Sequence, residues 1–250
     1  MNVLIACEES QRVCEAFRNK GHNAFSCDII EPSGGHPEWH ILGDVLPILS
    51  PQKYDFLTAP SYPHIQYCDI KYYKAINGYL KTLGIITMDG KVHSIEKWDL
   101  IIAHPPCTYL TCTGNRWYNV EKYGEKAIQR AKDREEAVDF FMAFANADCD
   151  KICIENPVGI MSTRWRNPNQ IIQPYQFGDP FEKRTCLWLK GLPNLVPTKV
   201  VEPPPRTEFK SGRTMAAWYA DAISMPKEER AKFRSKTFPG FAAAMAEQWG

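Results

Sequence analysis

The 250 residues hold no apolar run near the roughly 18 needed to cross a bilayer, and no charged n-region followed by an apolar h-region. Neither a membrane span nor a secretory leader is expected, and the cytoplasm is the expected compartment. Cysteine is present without a pattern: there are nine, an odd number, and no two stand as C-x-x-C. This argues against a zinc ribbon and against a disulfide framework, and makes most of the thiols small buried hydrophobes. An excess of one charge is also lacking, the net being +1, yet the distribution is uneven. Residues 183 to 236 carry 12 Lys or Arg against five Asp or Glu, whereas the first 182 residues carry 18 against 23. An acidic body with a basic later segment suits either a polyanion met by that segment or a lysine-rich solvated surface. With 44% hydrophobic and 24% charged residues, the composition is that of a globular chain able to bury one substantial core.

What is present is organised around Asp99 to Asn115, DLIIAHPPCTYLTCTGN. Leu100, Ile101, Ile102 and Ala103 have the length and branching of a buried parallel strand. Pro105 and Pro106 offer no N–H to a sheet, so the strand stops there and leaves Cys107 on a rigid loop at its carboxyl end. In open α/β sheets ligands bind at such ends. KICIENPVGI repeats the design: Ile152, Cys153 and Ile154 read as a strand that ends in Glu155-Asn156-Pro157. If the two strands are parallel neighbours, a thiol and a carboxylate meet at one rim.

The chain opens with the same alternation. NVLIAC is a strand, Val13, Ala16 and Phe17 mark a helix that ends at Gly21, and Asn23 to Cys27 is a second strand that ends in Asp28. Strand, turn, helix, strand and acid form a Rossmann-like unit, in which the acid accepts the ribose hydroxyls of a nucleoside cofactor. Asp28 reads equally as a turn cap, and Asp44, 16 residues later, is placed for the adenine edge. His36, Trp39 and His40 in the intervening loop read as surface or packing residues, since no cysteine or carboxylate partner stands at metal spacing. Residues 46–98 read as an insertion with six tyrosines between Tyr54 and Tyr79 and a hairpin closed on Asp89-Gly90. His64, Cys68 and Asp69 in it lack a fourth ligand and are not read as a metal site. Val120 to Ala147 predicts one long helix, FEKRTCLWL an alternating strand carrying Glu182 and Arg184, Thr214 to Ile223 a helix, and FPGFAAAMAEQWG a small-residue helix fit for close packing.

A proline-fixed cysteine beside a carboxylate invites three chemistries. Thiol hydrolysis needs a histidine base, and His104, a neighbour in an extended loop, is expected to point away. Redox use needs a second thiol closer than Cys112. The third is attack of a thiolate on C6 of a pyrimidine, with a carboxyl group bonding N3 and the exocyclic amine while C5 becomes nucleophilic.

HPPCTY, IENPV, EKR, CDI, GDV and FPGFAAAMA together resemble motifs of the cytosine-5 DNA methyltransferases, above all the short phage and prophage forms. The resemblance implies a Rossmann-like methyltransferase fold over residues 1–250, with the 46–98 insertion, a small recognition segment at 187–236 and a helix at 237–250 that returns to the cofactor site. It implies Cys107 as nucleophile, Glu155 bonding the target cytosine, and Arg184 as the matching arginine of the Q-x-R-x-R motif, whose second arginine falls on Cys186. It implies S-adenosylmethionine held by Cys7, Glu8, Asp28, Ile29, Asp44, Val45 and Pro105, with no metal. The family's first motif, F-x-G-x-G, has no glycine here between Ala6 and Gln11, and its final asparagine is replaced by Phe241. The implied partner is DNA with its target cytosine flipped out, met by the basic segment, to which Arg164, Trp165 and Arg166 are candidate additions. Amino methyltransferases place N-P-P-Y or D-P-P-Y where this chain has His104 and Cys107. An RNA cytosine enzyme and a methyltransferase-like binding module without turnover remain as other readings.

Overall fold

A computed structural model describes residues 1–49, 74–75, 78–79, 83–235 and 237–250. The elements in chain order are β1 (Asn2–Ala6), α1 (Arg12–Asn19), β2 (Asn23–Asp28), β3 (His40–Leu42), the short pair β4 (Lys74–Ala75) and β5 (Gly78–Tyr79), and the hairpin β6 (Leu83–Ile86) and β7 (Val92–Ile95). There follow β8 (Leu100–Ala103), α2 (Val120–Tyr123), α3 (Glu125–Ala145), β9 (Ile152–Pro157), α4 (Met161–Arg164), β10 (Gln170–Ile172) and β11 (Thr185–Lys190). The basic segment adds β12 (Arg206–Glu208), β13 (Thr214–Ala216), α5 (Ala217–Asp221) and α6 (Lys227–Ser235), and α7 (Pro239–Trp249) closes the chain.

The protein is α/β, with a central sheet of seven strands in the order β10-β11-β9-β8-β1-β2-β3. β9, β8, β1, β2 and β3 are parallel, and β11 alone runs against its neighbours on both sides. From β1 the chain winds outward through β2 and β3, then returns to start again at β8 on the other side of β1. The carboxyl ends of β1 and β8 therefore flank the point where the winding reverses, where a crevice opens in such sheets. Right-handed crossovers in opposite directions put α1 and α3 on opposite faces. Phe141 and Phe144 of α3 pack on Leu4, Ala6, Ile101, Ala103, Ile152 and Ile154. Val13 and Phe17 of α1, with Phe241, Met245 and Trp249 of α7, pack on Val3, Ile5, Leu100, Ile102 and Cys153. A strand buried on both faces needs apolar residues at every position, which is why these strands read as continuous runs.

Several expectations change. The helix foreseen over Val120 to Ala147 breaks at Gly124, whose φ of 52° ends α2 before α3 begins. Ile128 is exposed, so the apolar stripe buries mainly the second half of α3. β11 starts only at Thr185, leaving Glu182 and Arg184 in the preceding loop. The helix expected from Thr214 begins as β13, because Thr207 pairs with Met215. β9 continues through Glu155, Asn156 and Pro157, because β11 pairs with them after β8 has stopped. The Asp89-Gly90 hairpin is present, with Gly90 at φ 82°. The tyrosines from Tyr54 to Tyr73 and the trio His64, Cys68 and Asp69 lie outside the described residues. α7 packs closely, as its small residues predicted: a Cβ at Gly240 would overlap the carbonyl of Phe177. Among the described residues no helix is long and apolar enough to cross a membrane, and no cluster of His, Cys, Asp and Glu is arranged to hold a metal.

Candidate active site at the rim of β1, β8 and β9

The two motif loops are locked to each other. Asn156 Nδ2 donates to the Pro105 carbonyl at 2.8 Å, and the Ile160 N–H donates to the Leu110 carbonyl at 2.8 Å. Thr111 and Gly159 form an isolated antiparallel bridge, and a Cβ at Gly159 would overlap the Leu110 carbonyl. From the far side, α3 holds the Cys107 loop: Arg130 donates to the Thr108 carbonyl and Arg134 to the Tyr109 carbonyl, both at 3.0 Å. The Arg134 guanidinium lies 3.5 Å from the centre of the Tyr118 ring. These contacts give the solvated half of α3 its task. Within the loop, the Cys107 carbonyl accepts the N–H groups of Leu110 and Thr111 at 3.1 Å.

The rim thus brings Cys107 and Glu155 onto one side of neighbouring parallel strands, and adds a residue that sequence reasoning discarded. Ala103 is paired with Ile154, so the next positions, His104 and Glu155, stand side by side. His104 Nδ1 lies 2.7 Å from Glu155 Oε2 in a largely buried contact. His104, set aside in the sequence as a base for Cys107, is engaged with the neighbouring strand instead. The parallel register turns His104 onto that strand's carboxylate. Burial works to raise the Glu155 pKa, yet the His104 hydrogen bond and the charges of Lys183 and His104 outweigh it, and the carboxyl is held below its usual range. Burial likewise works to lower the His104 pKa, and is outweighed by the Glu155 hydrogen bond and the charges of Glu155 and Glu8, so the imidazole is pushed up. The Cys107 thiol, half-buried, is pushed up by burial first, with the Lys183 charge opposing and Glu155 adding.

Lys183, not Arg184, is the cation at this site. Its charge acts on Cys107, Glu155 and His104, whereas Arg184 is exposed and its charge is felt at Cys186. The late start of β11 explains the shift. Glu155 and Lys183 line a cavity of about 10 Å³ with Thr185, Phe238 and Phe241, the room of a single water. The stretch that delivers Lys183 also anchors the basic segment. The Phe181 ring packs on Trp218 and Phe238, Glu182 is ion-paired with Arg206, and its carbonyl accepts from Trp218 Nε1 at 3.1 Å. Trp165 packs edge-on to Phe141 with the Arg166 guanidinium 4.4 Å from its ring centre, and Arg166 donates to the Leu189 carbonyl.

The first turn keeps the backbone shape that glycine usually supplies without having any. Cys7 and Gln11, at φ 58° and 56°, are the two non-glycine residues with positive φ among the described residues. Gln11 is held there by His36, whose N–H its Oε1 accepts and whose carbonyl its Nε2 meets at 2.8 Å. His40, expected in the loop, is the first residue of β3; it is buried, bonded to Ser26 and to the Ile30 carbonyl, and burial pushes its pKa down to about 4, so it serves packing. The buried Glu8 carboxylate accepts the N–H groups of Val13 and Cys14 at 2.6 and 3.1 Å, taking the start of α1 for itself. Burial pushes its pKa up to about 7 against the opposing effects of His104, those N–H groups and Arg12.

Asp28 and Asp44 converge on this turn. The Cys7 thiol is pushed up by burial and then by the charges of both acids. Asp28 Oδ1 accepts the Ile30 N–H at 3.3 Å, and burial raises its pKa. Ile29 beside it is 77% exposed, an apolar side chain without an apolar neighbour to cover it. Asp44 Oδ1 accepts the Leu46 N–H at 3.0 Å, and Val45 and Pro105 are buried. A scan against protein-family models finds no match to this chain, and a search of curated proteins finds none either.

Proposed function

We propose that this protein is a DNA cytosine C5 methyltransferase of Rossmann-like methyltransferase fold. The observation that carries the reading is the joining of the Cys107 loop to the end of β9, which sets a half-buried thiol and the Glu155 carboxyl together beside the reversal point of the sheet. Lys183 favours the Cys107 thiolate, and Glu155 is placed to bond N3 and the exocyclic amine of a cytosine. The thiolate adds to C6, and C5 gains the electron density it needs to take an alkyl group. C5 and C6 are covered by neighbouring bases in a duplex, so the target must be flipped out. The 10 Å³ cavity beside Glu155 and Lys183 is too small for a ring, so the loop or Phe238 moves to admit it. The basic segment, fixed at Glu182 and Trp218 next to the rim, is the natural seat for the phosphates.

The cofactor of this reading is S-adenosylmethionine, which when bound supplies the methyl group. The adenosine half fits the residues present: Asp28 for the ribose, exposed Ile29 and Asp44 for the base. The amino-acid end fits less well, because Glu8 already takes the N–H groups of Val13 and Cys14 that a ligand carboxylate would seek at the start of α1. That one feature favours a second reading, a methyltransferase-like binding module without turnover.

Duplex DNA containing 5-fluorocytosine separates the two readings, since fluorine at C5 cannot leave as a proton and the adduct persists. With S-adenosylmethionine present, a denaturation-resistant complex should form and should be absent with Cys107→Ser. Absence of a complex on any DNA, together with no heat of S-adenosylmethionine binding, overturns the enzyme. Where binding is seen by calorimetry, Asp28→Ala should weaken it by at least about tenfold, the equivalent of one lost hydrogen bond to a charged group.

A further inference from the structure

His104 is engaged at one ring edge and idle at the other. Nδ1 meets Glu155 at 2.7 Å, and both side chains are about 10% exposed. Nε2 is buried and has no hydrogen-bond partner among the described residues. An imidazole that only filled a core would be satisfied at both nitrogens or wrapped in apolar groups. This one is faced by charge from three other elements: Glu155 on β9, Glu8 in the turn before α1 and Lys183 in the segment before β11. Its own charge is felt in turn at Asp28, at the end of β2. From α7, Phe241 approaches Glu155 across the small cavity and brings no charge.

We propose that His104 is a positioning residue that holds the Glu155 carboxyl through Nδ1 and shares one proton with it, while Nε2 keeps the N–H that leaves the ring neutral once that proton has been passed on. The proposal rests on the cytosine reading of Cys107 and Glu155. A bare carboxylate has no proton to give at neutral pH, and Glu155 is held below its usual range, so the donor proton resides on His104 between turnovers. When the Cys107 thiolate adds, its lone pair becomes the S–C6 bond. The C5=C6 pair moves to C4–C5, the N3=C4 pair moves onto N3, and one proton leaves the Glu155 carboxyl for N3. The pair is left as neutral imidazole and carboxylate. It recovers its proton from N3 when the N3=C4 double bond re-forms.

The first test needs neither cofactor nor DNA. In protein labelled with nitrogen-15 histidine, the His104 ring should titrate above the ordinary value of about 6.5, and that elevation should vanish in Glu155→Gln. An ordinary titration in the unaltered protein, or one that Glu155→Gln does not change, overturns the proposal. The second test uses the 5-fluorocytosine adduct. His104→Asn keeps an N–H where Nδ1 stood but cannot ionise; adduct formation should slow about 100-fold, the scale of general acid catalysis, with DNA affinity unchanged. The decline in the unaltered protein's rate as pH rises through the pair should also disappear. A variant with unaltered rate and pH profile overturns the proposal. His104→Gln replaces it should the asparagine variant fail to fold by circular dichroism. If the unaltered protein forms no adduct on any DNA, the methyltransferase reading falls, while the ring titration still decides whether the proton is shared.

Discussion

Asn156 and Pro105 sit at the ends of adjacent parallel strands, and the Asn156 amide donates to the Pro105 carbonyl at 2.8 Å inside the protein. Neither proline at 105–106 can give an N–H to a sheet, so beyond Ala103 the two strands lose their ladder. The asparagine side chain takes over where the ladder stops. Asn156→Ala should therefore destabilise the fold by about 1–3 kcal/mol, the cost of a buried carbonyl left unpaired. Urea unfolding measures it, and an unchanged midpoint would contradict the role.

Gly159 is a second point of closure. Its hydrogen faces the Leu110 carbonyl, and a methyl group there must push the Cys107 loop away from β9. Gly159→Ala should cost about 1–3 kcal/mol as an overpacked contact. It should also raise the rate at which a bulky maleimide labels Cys107. Labelling and unfolding indistinguishable from the unaltered protein would show that the loop yields without cost.

Glu8 sets a pH dependence whose sign is fixed by its burial. The folded-state pKa is about 7 against an ordinary 4.5. A carboxyl raised in this way favours the folded state fully below the ordinary value, and that contribution is lost as pH rises through about 7. His104, also raised, loses its contribution in the same direction. Glu8→Gln keeps an oxygen for the Val13 and Cys14 N–H groups and removes the titration. Between about pH 5 and pH 8 the unaltered protein should lose on the order of 3 kcal/mol more stability than the variant, since each tenfold change in proton affinity is worth about 1.4 kcal/mol. Parallel curves of unfolding free energy against pH would refute this.

The sheet was legible because its central strands carry continuous apolar runs, two of them cut off at His104-Pro105-Pro106 and at Glu155-Asn156-Pro157. Cys107 and Glu155 were legible as rim residues for the same reason. His104 was not, because its direction depends on which residue of β9 stands opposite Ala103, and register between strands 50 residues apart leaves no mark in one sequence. Lys183 was missed in favour of Arg184 because the alternation of FEKRTCLWL begins before the strand does. The sequence shows only that the first turn has no glycine to shape it. The shape is there, carried by Cys7 and Gln11, and the real departure is the carboxylate that occupies the start of α1.

Phe181, Glu182 and Lys183 are consecutive, yet they serve two places. Phe181 and Glu182 grip Trp218 and Arg206 of the basic segment, and Lys183 sets the charge around Cys107 and Glu155. A pull on the β12–β13 hairpin is thus delivered one peptide bond away from the cation that favours the thiolate. The hairpin and the cation thus share one short stretch of backbone, and neither can be placed without the other.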